Sequence, residues 1–203
     1  MVVIIDYEMG NLKSVFNALN KIDCHSKISS DKEDLRTADA LILPGVGAFK
    51  DCMDNLERTG LSDIIKEEVV KGKPLLGICL GMQVLFEKGY EGEEKKGLGL
   101  LKGEVRKMVD PYEKIPHIGW NNLEKNNNDI LIDGINENSY VYYVHSYYAQ
   151  EYRDEDLVGY STYGKLKIPG LVRRDNIMGA QFHPEKSGED GLRILKNFKE
   201  LVL

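Results

Sequence analysis

The chain has 203 residues, enough to bury a hydrophobic core without support from a metal or disulfides. Its 42% hydrophobic and 30% charged residues suit a water-soluble globular protein, and a net charge of −6 with no basic or aromatic-basic stripe argues against nucleic acid as a partner. Cys24, Cys52 and Cys79 form no CxxC pair, no residues cluster at metal-ligand spacing, and no apolar run approaches the roughly 18 residues of a membrane span. A reduced, cytoplasmic protein is expected, with no cofactor, metal or membrane partner.

Val2 to Ile5 predicts a buried first strand; the run stops at Asp6 without a basic flank, so it is not expected to be a signal peptide. Leu12, Val15, Phe16, Leu19 and Ile22 recur at helical spacing. Ala40 to Leu43 predicts a second strand, stopped by Pro44-Gly45. Helical stretches follow with Phe49, Met53 and Leu56, and with Leu61, Ile64, Ile65 and Val69. Pro74 to Ile78 predicts a third strand, and Leu80 to Phe86 the start of another helix. Strands that are apolar on both faces and alternate with helices require a parallel sheet covered on both sides.

The second half is β-rich, with runs at Leu98 to Val105, Tyr140 to Tyr148, Leu157 to Tyr163, Leu171 to Arg174 and Ile177 to Phe182. Asp175-Asn176 joins the last two as a hairpin. Glu124 to Asp129 predicts a loop, and Leu192, Leu195, Phe198, Leu201 and Val202 mark one face of a closing helix. The expected fold is α/β: one domain over residues 1–203, with a central mixed, mostly parallel sheet flanked by helices.

Pro74 to Gln83 carries the strongest chemical signal. A strand runs into Gly77-Ile78-Cys79-Leu80-Gly81 and on into a helix, the cysteine counterpart of the GxSxG nucleophile elbow. Glycines two residues either side let the turn close, and a helix N-terminus beside the sulfur favours thiolate, the nucleophilic form. Taken alone, Cys79 also reads as a buried structural cysteine, the reading given to Cys24 and Cys52.

A cysteine nucleophile that must expel a leaving group needs an acid/base, and imidazole titrates near the working pH. His183 ends the last strand and is followed by Pro184 and Glu185, whose carboxylate can hold one ring tautomer. A solvated His-Pro-Glu turn is the bland alternative, and 104 residues of separation leave the pairing to the fold. His25 lies in a polar stretch, while His117 and His145 flank β-like segments. Pro44-Gly45-Val46-Gly47 follows the second strand. Its backbone, with the N–H of Leu80, can stabilise an oxyanion, although an isolated PGxG is as often a plain turn.

Gly77 to Gln83, together with Gln181-Phe182-His183-Pro184-Glu185 and Pro44 to Gly47, resembles the class I (triad) glutamine amidotransferases. The resemblance narrows to the glutaminase subunits of imidazole glycerol phosphate synthase from residue 3 to 202. It is carried by Ile5-Asp6-Tyr7, Met9 to Leu12, Lys114 to Asn121, Val144 to Tyr148 and Pro184 to Gly188. It implies a flavodoxin-like fold and hydrolysis of L-glutamine by Cys79, His183 and Glu185. Val46 would supply a switchable amide, and Gly47, Gln83, Glu91, Ser146 and Tyr147 would hold substrate. Asn11, Trp120, Tyr142 and Lys186 would face a (β/α)8-barrel cyclase in a heterodimer, with His117 and His145 as architecture near that boundary. The cyclase would use the ammonia to form imidazole glycerol phosphate and aminoimidazole carboxamide ribotide for histidine synthesis. Position 8 departs from the family's Asp-Tyr-Gly opening, since this chain has Glu8. The alternatives are an ammonia-supplying subunit for an amidino-sugar synthase and a non-enzymatic regulatory subunit.

Overall fold

The computed structural model describes residues 1–137 and 139–202. Its first half lays down β1 (Val2–Ile5), α1 (Leu12–Lys21), β2 (Ser26–Ser29), α2 (Lys32–Thr37), β3 (Ala40–Gly45), α3 (Phe49–Arg58), α4 (Leu61–Val70) and β4 (Leu75–Cys79). Strands β1, β3 and β4 are buried at every position. Alternate residues therefore serve two cores. Val3, Ile5, Leu41, Leu43 and Leu75 pack with Leu35, Met53, Leu56 and Ile65. Val2, Ile4, Ala40, Ile42 and Leu76 pack with Val15, Leu19, Leu195 and Phe198 on the other face. A parallel sheet needs this double cover because both faces of its strands are apolar.

The chain continues through α5 (Leu80–Gln83), β5 (Phe86–Gly89), β6 (Lys95–Lys96), β7 (Leu101–Lys107), β8 (His117–Asn122) and β9 (Glu124–Lys125). It ends with β10 (Tyr140–His145), β11 (Tyr147–Gln150), β12 (Leu157–Tyr163), β13 (Leu166–Arg174), β14 (Ile177–Ala180) and α6 (Gly188–Val202). The main sheet has eight strands in the order β2-β1-β3-β4-β14-β13-β12-β9. Pairing is parallel from β2 to β14 and antiparallel from β14 to β9. The result is a single α/β domain with a large mixed sheet flanked by helices. Two smaller sheets, β10-β8 and β11-β7-β5-β6, stand beside it.

Four expectations are corrected. Leu80 to Phe86 is not an extended helix; α5 has one turn, and Phe86 already belongs to β5. The N–H groups of Leu98, Leu100 and Leu101 claim the carbonyls of Val84 and Leu85, which a longer helix would need for itself. Tyr140 to Tyr148 is two strands rather than one. It breaks at Ser146, with β10 paired to β8 and β11 to β7. Glu124 and Lys125, expected in a loop, pair with β12. The last strand ends at Ala180, two residues before Phe182. The hairpin at Asp175-Asn176 is as expected, with Arg174 opposite Ile177.

Candidate active site

The register of β3 against β4 builds one wall of a pocket. Leu43 lies opposite Gly77 and Gly45 opposite Cys79, so both strands end at the same rim. Cys79 leaves β4 with φ +54°, a left-handed conformation that costs a non-glycine residue free energy. The turn closes because its flanks lack side chains. A Cβ on Gly81 would stand 1.7 Å from the Leu43 carbonyl oxygen, and one on Gly77 2.6 Å from that of Gly81.

The resulting cavity, about 350 Å³, is lined by Val46, Gly47, Cys79, Leu80, Gln83, Glu91, Pro116, Val144, His145, Ser146, Tyr147 and His183. His183 lies three residues beyond β14, and its N–H donates to the Tyr142 carbonyl at 3.0 Å. Its Nδ1–H donates to Glu185 Oε1 at 2.8 Å, with both side chains almost fully buried. Burial opposes the charged ring, but the neighbouring Cys79 sulfur and the Glu185 carboxylate outweigh it and push His183 up to about 9. A buried thiol, an imidazole beside it and a carboxylate bonded to the ring are an arrangement that can act as nucleophile, acid/base and orienting group.

Val46 and Gly47 are exposed at the pocket mouth, and Gly47 has φ +100°. The Tyr7 hydroxyl donates to the Pro44 carbonyl at 2.8 Å and pins the strand leading to them. Glu91 accepts from the N–H of Phe49 at 2.8 Å, so it both lines the pocket and caps α3. Gln83 is buried, donating to the Tyr147 carbonyl at 2.8 Å and to Gln181 Oε1 at 3.0 Å. Cys24 and Cys52 stand apart as buried thiols. Burial raises both, Cys52 to about 12, and holds them protonated and inert.

Residues 3–201 match the family described as glutamine amidotransferase class-I. The chain belongs to that family. It is 53% identical to the imidazole glycerol phosphate synthase subunit HisH of Lactococcus lactis over 99% of this chain and 98% of the relative. The subunit of the same name from Bacillus cereus is also 53% identical, over 100% and 95%. A solved structure titled as a glutamine amidotransferase superposes with a TM-score of 0.78 at 22% identity, covering 100% of this chain and 99% of its own. Another, of PurLQS from Thermotoga maritima, gives 0.77 at 21%, covering 100% and 98%. These two likenesses speak to the fold.

In this amidotransferase the expected residues fall into two groups. Cys79, His183, Val46, Leu80, Gly47, Gln83, Glu91, Ser146 and Tyr147 line the pocket, with Glu185 behind His183. Asn11, Trp120, Tyr142 and Lys186 lie outside it. Trp120 and Tyr142 meet edge to face at 6.0 Å on the β8-β10 ribbon, where Trp120 is 55% exposed. Asn11 precedes α1, and the turn carrying Lys186 packs against both α1 and β10, which brings the four into one neighbourhood. Gln181 was not foreseen, although it stands two residues before His183; its Nε2 lies 3.9 Å from the Cys79 sulfur. Pro116 and Val144 were also missed as pocket residues, and His145, expected as architecture near the boundary, lines the pocket as well. Their positions in the segments Lys114 to His117 and Val144 to Tyr147 were the available signal. Glu8 has φ +71°, the conformation in which glycine is unstrained, and its carboxylate pairs with Arg58.

Among the described residues no group of His, Cys, Asp or Glu is placed to hold a metal ion, and no helix is long and apolar enough to cross a membrane.

Proposed function

We propose that the chain is a glutaminase subunit that hydrolyses L-glutamine to L-glutamate and ammonia with Cys79, His183 and Glu185. The observation that carries this is the convergence of a strained, buried cysteine and a carboxylate-oriented imidazole on one pocket. Cys79 thiolate attacks the side-chain amide carbon of glutamine, and the oxyanion forms between the backbone N–H groups of Val46 and Leu80. His183 gives its proton to the leaving nitrogen, the C–N bond breaks and ammonia departs, leaving a thioester. The ring then takes a proton from water, which adds to the thioester carbon. Collapse releases glutamate and restores the thiolate.

Glu91, Gly47, Gln83, Ser146 and Tyr147 hold the substrate in this reading. Gln83 does so from a position fixed by its own bonds to Tyr147 and Gln181. Residues 1–203 act as one amidotransferase domain in the cytoplasm. The relatives at 53% identity are named as subunits of imidazole glycerol phosphate synthase, and we assign the ammonia to a cyclase of that kind. A (β/α)8-barrel partner would dock on the neighbourhood of Asn11, Trp120, Tyr142 and Lys186, in a heterodimer. No feature of the site favours the amidino-sugar alternative.

The test is glutamate release from glutamine by the purified chain, alone and mixed with the cyclase and its nucleotide substrate. Strong stimulation that is lost in Cys79→Ala is expected. Glutamate release that survives Cys79→Ala would overturn the triad, and equal rates with and without the cyclase would overturn the choice of partner.

A further inference from the structure

The β8-β10 ribbon has two faces. Ile118, Trp120, Tyr140 and Val144 are exposed on the outer one. On the inner one the register sets His117 opposite His145, and both are buried. The His117 ring is sandwiched between Tyr143 and Tyr163, nearly parallel to each at centroid distances of 4.6 and 4.1 Å.

Hydrogen-bond geometry fixes where the protons sit. His145 Nδ1 is 2.9 Å from the carbonyl oxygen of Tyr147, which can only accept, so Nδ1 carries the proton. Asn121 Nδ2 reaches the Thr162 carbonyl at 3.0 Å, and Asn121 Oδ1 accepts from the N–H of Asn122 at 2.8 Å; together they orient the amide. The nitrogen end of that amide also faces His117 Nε2 at 3.3 Å, so Nε2 accepts. His117 therefore donates from Nδ1 to His145 Nε2 across 3.0 Å. Both rings are neutral and both carry the proton on Nδ1. Burial agrees, holding His117 down to about 4 and His145 to about 3.

The chain of bonds does not stop at Tyr147. Its carbonyl also accepts from Gln83, which bonds Gln181, whose amide faces the Cys79 sulfur. A continuous run of polar contacts thus links the strand carrying Trp120 to the nucleophile.

We propose that His117 and His145 form a positioning pair: locked as neutral Nδ1–H tautomers, they hold the Ser146–Tyr147 wall of the pocket and tie it to the outer face of the ribbon. The proposal rests on the glutaminase reading above.

The test has two arms. Nitrogen-15 histidine spectra of the intact chain are expected to show His117 and His145 as neutral Nδ1–H tautomers, unchanged between pH 6 and 8. An Nε2–H tautomer or an imidazolium on either ring overturns the lock. The second arm is glutamine turnover with the cyclase present, comparing His145→Leu with His145→Asn, whose amide nitrogen can take the place of Nδ1. His145→Leu is expected to raise KM for glutamine about tenfold, and His145→Asn to stay within about threefold of the parent. Equal effects of the two variants, or an unchanged KM in the Leu variant, overturn the positioning role. Loss of Cys79-dependent turnover in the parent chain would instead strike the glutaminase reading, and the spectra would still judge the lock. If neither variant folds, the spectra of the parent decide.

Discussion

Cys79 adopts φ +54° because β4 must hand its sulfur to the rim while the backbone turns at once into α5. The strain is held by packing on both sides of the turn, the over-determined setting in which such conformations persist. His183 shows how the environment sets chemistry. Burial disfavours its charge, yet Cys79 and Glu185 bring it to about 9. That favours imidazolium at neutral pH, the form that the proposed mechanism uses to protonate the leaving ammonia. In a pH profile of kcat/KM for glutamine, the alkaline limb is expected near 9, and Glu185→Gln is expected to move it to lower pH. A limb that Glu185→Gln leaves in place would remove Glu185 from its orienting role. The sign for stability follows the same shift. A pKa raised in the folded state contributes in full below the ordinary value near 6.5, and that contribution is lost as pH rises through about 9.

At the scale of elements, the β4-α5 turn and the β8-β10 ribbon frame the pocket. The turn tolerates no side chain at Gly81, where a Cβ would overlap the Leu43 backbone. Gly81→Ala is expected to cost about 3 kcal/mol or more of unfolding free energy, because backbone on both sides must shift. Urea denaturation measures it, and a midpoint equal to the parent's would show that β3 and α5 can separate freely. The one-turn α5 also limits the helix-dipole argument made from the sequence, since so short a helix sums few peptide dipoles.

The ribbon carries two buried histidines held at about 4 and about 3, below their ordinary 6.5. Groups depressed in this way favour the folded state above about 6.5 and lose that contribution as pH falls through their folded values. Stability is therefore expected to decline between pH 6.5 and 4. The decline should be shallower in His145→Asn, as followed by urea midpoints across that range.

Across the whole molecule, one sheet brings together residues far apart in the chain. Cys79 and Gln181 meet because β4 and β14 are parallel neighbours, with Ile78 opposite Ala180. The outer face of the ribbon leaves Trp120 55% exposed beside Tyr142, an aromatic arrangement of the kind that anchors protein interfaces. Trp120→Ala is expected to weaken cyclase binding by about 2 kcal/mol or more, roughly a thirtyfold rise in Kd, measurable by calorimetry. An unchanged Kd would move the docking surface elsewhere.

What the sequence determined by itself is local. The double-sided apolar strands, the glycine-flanked cysteine, the Asp175-Asn176 hairpin and the His-Pro-Glu segment are all legible because each depends on residues within a few positions of one another. The length of α5, the break at Ser146 and the pairing of β9 depended on the tertiary structure. Distant N–H groups and strands compete there for the same backbone carbonyls, and no local pattern records that competition. The same holds for the pocket. Sequence nominated Cys79 and His183, but the parallel register of β4 and β14 set them side by side. The packing of the β8-β10 ribbon against that rim, where the His183 N–H meets the Tyr142 carbonyl, makes His145 part of the pocket wall.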